Sequence, residues 1–195
     1  MSETRNIEKI EKNWVTFEKL CKRLSDSSLN NLLESLGERI VMCPASSRLD
    51  QYNCEPGGMV QHVLDTTMTM RTLNDALGYN IDVASILKTG LLHDLGKVGD
   101  LDNDYFIEQE SEWHREKLGQ HYVYNDKLQK MSVSHRTLYI LQSFGVRLTP
   151  DEWLAIQLAS GPHFEENRFY VHNEPTLALL LQHAKSVSIH VERNR

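Results

Sequence analysis

Leu91-Leu92-His93-Asp94-Leu95-Gly96-Lys97 is the stretch on which the reading of this chain turns. An imidazole and a carboxylate stand side by side, with an apolar run before them and a glycine just after. Both are good ligands for a divalent metal, and at the end of a helix both can reach an interior pocket. On a helical path Lys97, three residues after Asp94, lies over the same site. An adjacent His-Asp pair also arises by chance in many folded proteins, so the surrounding chain has to decide between ligands and bystanders.

Immediately upstream, Asp82 offers a helix N-cap, and Val83, Ile86, Leu87, Gly90 and Leu91 supply the apolar side of a helix that delivers His93 and Asp94 at its C-terminal end. Gly90 leaves room for a neighbouring helix. Before that comes Pro56-Gly57-Gly58, where paired glycines permit close backbone approach. A helix follows through Val60, Val63, Leu64, Thr67 and Met70 to a stop at Gly78, with His62 near its start and Asp65 almost one turn on. The loop leading into Gly57, residues 41–56, is rich in breakers and short polar side chains.

The remainder extends the helical pattern. Ile7, Ile10, Trp14, Phe17, Cys21 and Leu24 form one apolar stripe. Ser25-Asp26-Ser27-Ser28 caps a second helix bearing Leu29, Leu32, Leu33 and Leu36, with Gly37 expected as its stop. Downstream, residues 99–105 read as an acidic, solvated loop, without the ligand spacing of a calcium loop. Residues 110–118 read as a short helix, and residues 120–125, with Tyr122 and Tyr124, as polar-aromatic lining of a pocket mouth. Ser134 is expected to cap a helix carrying His135 and ending at Gly145. Thr149-Pro150-Asp151-Glu152 is a capping box with proline at the first helical position, and that helix stops at Gly161-Pro162, just before His163. A last helix opens at Asn173-Glu174-Pro175 and carries Leu177, Leu180, Leu181, Ala184, Val187 and Val191. No strand-like alternation lasts, so the expectation is an all-α, single-domain helical bundle of about seven helices.

Composition narrows the function classes. With 40% hydrophobic and 25% charged residues in 195, the chain can bury one substantial core. A formal charge of −6 gives no broad cationic face for an extended nucleic-acid duplex. No apolar run is long enough to span a bilayer, and the polar opening Met1-Ser2-Glu3-Thr4-Arg5 lacks a secretory pattern, so a cytoplasmic protein with no membrane partner is expected. Cys21, Cys43 and Cys54 match neither a zinc pattern nor a disulfide framework and read as reduced thiols.

His62, His93, His135 and His163 each fall near the end of an expected helix, and Asp94 joins them. Helix ends in a bundle can converge on one pocket. Imidazole and carboxylate donors suit manganese, iron, nickel, cobalt or zinc. With its order and spacing, this set resembles the HD-domain superfamily of metal-dependent phosphohydrolases over most of residues 44–192. Gly57-Gly58-Met59-Val60-Gln61-His62 is similar to its glycine-glycine-x-x-x-histidine motif and Leu92 to Lys97 to its signature. Ser134-His135-Arg136 and Gly161-Pro162-His163 are similar to segments that supply two more histidines in two-metal members. More narrowly, residues 111–119 and 148–153 resemble HD proteins of large bacteriophages, which would place the protein in a host cytoplasm.

The resemblance implies a division into N-terminal helices over residues 1–43, packing on the core, and an HD-type domain over 44–195. It implies one or two divalent ions held by His62, His93, Asp94, His135 and His163. Asp94, Lys97 and Asp65 are the implied catalytic residues, and Lys97, Arg136 and Lys185 the implied substrate contacts. The implied reaction is hydrolysis of a phosphate ester in a nucleotide or short nucleic acid. Two departures stand out. Where relatives carry a histidine-alanine-aspartate run in the last helix, this chain has His183-Ala184-Lys185, and where they carry a histidine before the glycines it has Tyr52 and Asn53. Lys185 could bind substrate phosphate from the lost ligand's position, or point outward. It could instead mark an HD domain retained as a nucleotide-binding or partner-binding module. The amino-terminal helices offer a surface for a homodimer.

Overall fold

The computed structural model describes residues 2–194, with side chains from residue 6 onward, so the polar opening read from Met1 to Arg5 lies outside the described side chains. Eight α-helices account for most of the described chain: α1 (Ser2–Lys22), α2 (Ser27–Met42), α3 (Gly58–Leu77), α4 (Val83–Leu92), α5 (Glu112–Leu118), α6 (Val133–Ser143), α7 (Pro150–Leu158) and α8 (Thr176–Arg193). Single 3-10 turns over Leu95–Val98 and Glu165–Tyr170 link α4 onward and α7 to α8. The all-α expectation is met, with one helix more than the rough count.

Local chemistry sets most of the boundaries. Asp26 caps α2 by accepting from the amides of Ser28 and Leu29. Asp82 does the same for α4 through Ala84 and Ser85. At α7 both halves of the capping box form, Thr149 accepting from the Glu152 amide while Glu152 accepts from the Thr149 amide. Gly78 closes α3 with φ 65°, a left-handed angle that glycine adopts at no steric cost.

Three expectations need correction. Gly37 does not stop α2: the helix runs on to Met42, and Gly37 is buried where it lets Trp14 of α1 approach, because packing against α1 outweighs the residue's weak helical propensity. Ser132, not Ser134, caps α6, its hydroxyl accepting from the His135 amide, while Ser134 is buried inside the helix. Strands do occur: within the polar-aromatic segment, whose Tyr122 and Tyr124 border small cavities as expected, β2 (Tyr122–Tyr124) pairs antiparallel with β1 (Phe106–Glu108), Ile107 opposite Val123. Three-residue strands are too short for alternation to register, and here edge-on and tilted ring contacts among Tyr105, Phe106, Tyr122 and Tyr124 stabilise the ribbon.

Helix α3 is the axis of the fold, lying between α4 and α8. One group of buried side chains joins Phe17 and Cys21 of α1 and Leu29, Leu32 and Ile40 of α2 to Met59, Leu91, Leu92 and Ile140. A second joins Met70 of α3 and Ile86 of α4 to Ala155, Leu158, Leu177 and Leu181 of α7 and α8. Gly90 faces Thr67 and Met70, so α4 approaches α3 where the metal-type residues of both helices lie close by. Arg39 of α2 ties down the acidic loop after the 3-10 turn: its guanidinium donates to the carbonyls of Val98, Asp100 and Leu101 and to the Asp104 carboxylate. None of the described helices is long and apolar enough to cross a membrane.

Candidate metal centre

Three elements place the central residues. His62 enters from the first turns of α3, His93 is the C-cap of α4, and Asp94 follows with φ −104° and ψ 9°, outside helical geometry. That bend turns the carboxylate inward. It is pinned by Thr137 of α6, whose hydroxyl donates to the His93 carbonyl at 3.1 Å and accepts from the Gly96 amide at 2.8 Å. Gly96 packs so tightly on α6 that a Cβ there would overlap the Val133 carbonyl oxygen.

His62 and His93 are fully buried and Asp94 is 1% exposed. His62 Nε2 lies 3.7 Å from Asp94 Oδ2 and His93 Nε2 lies 3.7 Å from Asp94 Oδ1. One donor atom from each residue falls within 4.8 Å of the other two. Ligands held at about 2.0–2.2 Å from a common divalent ion stand roughly 3–4 Å apart, so the spacing suits a metal.

The outer ring nitrogens decide which atoms face inward. His62 Nδ1 donates to the buried Glu192 carboxylate of α8, at 3.0 and 3.1 Å from its two oxygens. His93 Nδ1 donates to the Gly90 carbonyl at 2.9 Å. The Gly90 carbonyl cannot donate in return, nor can the ionised Glu192 carboxylate, so both imidazoles are held with the Nε2 lone pair directed at the shared space. Both Nε2 atoms are buried without a hydrogen-bond partner among the described residues. Leaving such acceptors unpaired costs about 1–3 kcal/mol each, and coordination to a metal would remove that cost.

Two ammonium groups share the centre. Lys97 Nζ lies 2.7 Å from Asp94 Oδ2 and Lys185 Nζ 2.7 Å from Asp94 Oδ1. Lys97 Nζ also donates to the Tyr52 hydroxyl at 3.0 Å. Burial alone would raise the Asp94 carboxyl, but Lys185 and Lys97 outweigh it and hold Asp94 well below the usual carboxylate range. Burial pushes His93 down to about 4, and likewise lowers His62 well below its ordinary value, so both imidazoles are neutral near pH 7. Burial alone would lower Lys97, yet Asp94 and Tyr52 carry it above the ordinary lysine range.

The other expected site residues are distributed differently. His135 is exposed at the start of α6 and does not join the three-residue cluster. His163 also stands outside it, exposed and packed on Phe164, but it lines a cavity of about 630 Å³ together with Lys185, Tyr52 and His183. Arg136 is buried and committed to the protein: its guanidinium donates to the Gln129 carbonyl at 2.7 Å and sits 5.6 Å from the Tyr105 ring centre. Asp65 is half-buried on α3.

A family model for the HD domain matches residues 59–188. The chain belongs to the HD-domain family. No curated protein and no solved structure matches it at a significant level. HD domains bind divalent metals, and in this HD domain the buried pair His62 and His93 with Asp94 could hold one. The match ends beyond Lys185 but before Glu192, so the carboxylate that orients His62 lies outside the matched span.

Sequence reasoning missed Glu192, Tyr52 and Thr137. Glu192 is seven residues after Lys185, two turns along the same face of α8, and that spacing was a usable signal. Tyr52 had been noted only as a departure; its ring in fact packs at a tilt against His62, centroids 5.0 Å apart. Thr137 carried no sequence signal, because its role arises only where α6 meets the turn after α4.

Proposed function

We propose that the protein is a metal-dependent phosphohydrolase that acts on a phosphate ester of a nucleotide or short nucleic acid. The observation that carries this reading is the convergence on the Asp94 carboxylate of two buried Nε2 atoms that have no hydrogen-bond partner among the described residues. His62, His93 and Asp94 would hold one divalent ion, with His135 and His163 outside its coordination. An ion in that position would acidify water and offset charge on the phosphoryl oxygens.

The chain's own groups supply the rest. Lys97 and Lys185 present ammonium donors toward the place where phosphoryl oxygens would lie, and both are desolvated enough to act strongly. Glu192 keeps His62 in the tautomer with its Nε2 lone pair inward, and the Gly90 carbonyl does so for His93. Asp65, three residues after His62, is the candidate proton acceptor. The cavity beside Lys185 is large enough for a mononucleotide, and Tyr52 and Phe164 at its wall give faces on which a base could stack. In this reading the phage-type likeness of residues 111–119 and 148–153 assigns the protein to a host cytoplasm.

One observation favours a second reading, an HD domain without turnover that serves as a nucleotide-binding or partner-binding module: both Asp94 oxygens face ammonium groups. Metal analysis of protein purified without chelator, with phosphate release from a panel of nucleotides and short oligonucleotides in manganese, iron, nickel or cobalt, separates the two. Phosphate release that depends on added metal supports the hydrolase. Folded, metal-free protein that is inert across the panel overturns it.

A further inference from the structure

Lys185 faces two ways. Its Nζ lies 2.7 Å from Asp94 Oδ1, while its side chain, 12% exposed, forms part of the wall of the 630 Å³ cavity. Lys97, 8% exposed, covers the other Asp94 oxygen and is anchored to Tyr52. Both ammonium groups border open space, Lys97 two smaller cavities and Lys185 the 630 Å³ one, but among the described residues only Lys97 has a second hydrogen-bond partner holding it in place.

Two carboxylates, Asp94 and Glu192, and two ammonium groups, Lys97 and Lys185, lie around the centre, so their formal charges balance without any ligand. A divalent cation added alone leaves two uncompensated positive charges in a buried space, beside an ammonium already occupying a coordinating oxygen. A phosphoryl dianion added alone leaves two negative ones. Both together restore neutrality, and charge imbalance in a desolvated site is costly.

We propose that a phosphoryl dianion in this cavity and a divalent cation at His62, His93 and Asp94 bind interdependently, coupled by Lys185, whose ammonium transfers from Asp94 Oδ1 to the phosphoryl oxygens and bares the carboxylate for the cation. The proposal rests on the metal site of the hydrolase reading. No covalent step is involved. The transfer needs only rotation about the flexible lysine stem, and Lys97 stays on Asp94 Oδ2 throughout. Because the coupling is thermodynamic, each ligand strengthens the other by the same factor. The consequence is specificity: the site assembles its full charge complement only around a phosphoryl group, and neither a bare metal nor an uncharged ligand releases the lysine.

The test is manganese binding to the full-length protein by equilibrium dialysis, with and without saturating phenylphosphonate, a phosphoryl mimic that is not hydrolysed. In wild type, phenylphosphonate is expected to tighten manganese binding about tenfold or more, and manganese to tighten phenylphosphonate binding equally. In Lys185→Met, manganese is expected to bind tightly alone, and phenylphosphonate to change that less than about threefold. Equal manganese affinity with and without phenylphosphonate in wild type overturns the coupling while leaving the metal site standing, and so does coupling that survives intact in Lys185→Met. Absence of manganese binding in all four arms overturns both the coupling and the metal site. The two wild-type arms decide the matter by themselves should Lys185→Met fail to fold.

Discussion

Lys185 Nζ lies 2.7 Å from Asp94 Oδ1, an ion pair across 91 residues that joins the last helix to the turn after α4. The resemblance of the last helix to HD proteins implies an aspartate ligand at this position. Lys185→Asp should therefore replace an ammonium by a fourth donor and tighten manganese binding at least about tenfold, read by titration calorimetry. Without metal the same variant sets two carboxylates together, and its melting temperature should fall by roughly 3–10 °C and recover when manganese is added. Unchanged affinity would mean that Lys185 does not stand in a coordinating position.

Glu192 holds His62 through Nδ1, at 3.0 and 3.1 Å from its two carboxylate oxygens. Glu192→Leu removes the acceptor for Nδ1 and should weaken manganese binding about ten- to a hundredfold. Long-range nitrogen-15 NMR of the metal-free protein gives a readout independent of metal. Wild type should show His62 protonated on Nδ1 alone, and the variant a mixture of tautomers. A single unchanged tautomer in Glu192→Leu would show that something else orients the ring.

The buried imidazoles make stability depend on acid. His93 is pushed down to about 4 from an ordinary 6.5 by burial, so between those values the unfolded chain binds more protons than the folded one. Stability then rises with pH: it is complete above about 6.5 and is lost as pH falls toward 4, by roughly 3 kcal/mol for this residue. The lowered value of His62 acts in the same direction, and the depressed Asp94 extends the loss below its unfolded value of 3.8. Urea melts of chelator-treated protein at pH 7 and pH 4.5 measure it, and His93→Gln should flatten the slope. Equal stability at both pH values would mean that the imidazoles are solvated.

Gly96→Ala tests how tightly the site is braced. The new Cβ would meet the Val133 carbonyl and the Thr137 amide, backbone atoms that cannot move aside. A loss of about 1–3 kcal/mol or more in chemical denaturation is expected, with weaker manganese binding as the His93-Asp94 bend shifts. A variant as stable as wild type would show that α6 does not clamp the turn.

The helical pattern was legible because apolar residues three and four apart, with Asp82 or Thr149 before them, state a helix almost without context. Gly37 was misread because a glycine that ends a helix and a glycine that admits Trp14 look alike in one dimension. The strand pair was missed because three residues give too short a period, and its stability comes from aromatic rings brought together across a connection of 13 residues, 109–121.

By itself the sequence determined the all-helical architecture, the family, and a candidate set of His62, His93, Asp94, His135 and His163, because these depend on local periodicity and on motif order. Only the tertiary structure decided which of the histidines share a space, that Lys185 lies on Asp94, and that Glu192 orients His62. Those are relations between α8 and helices about 90 to 130 residues earlier, and the packing of α8 against α3 sets them.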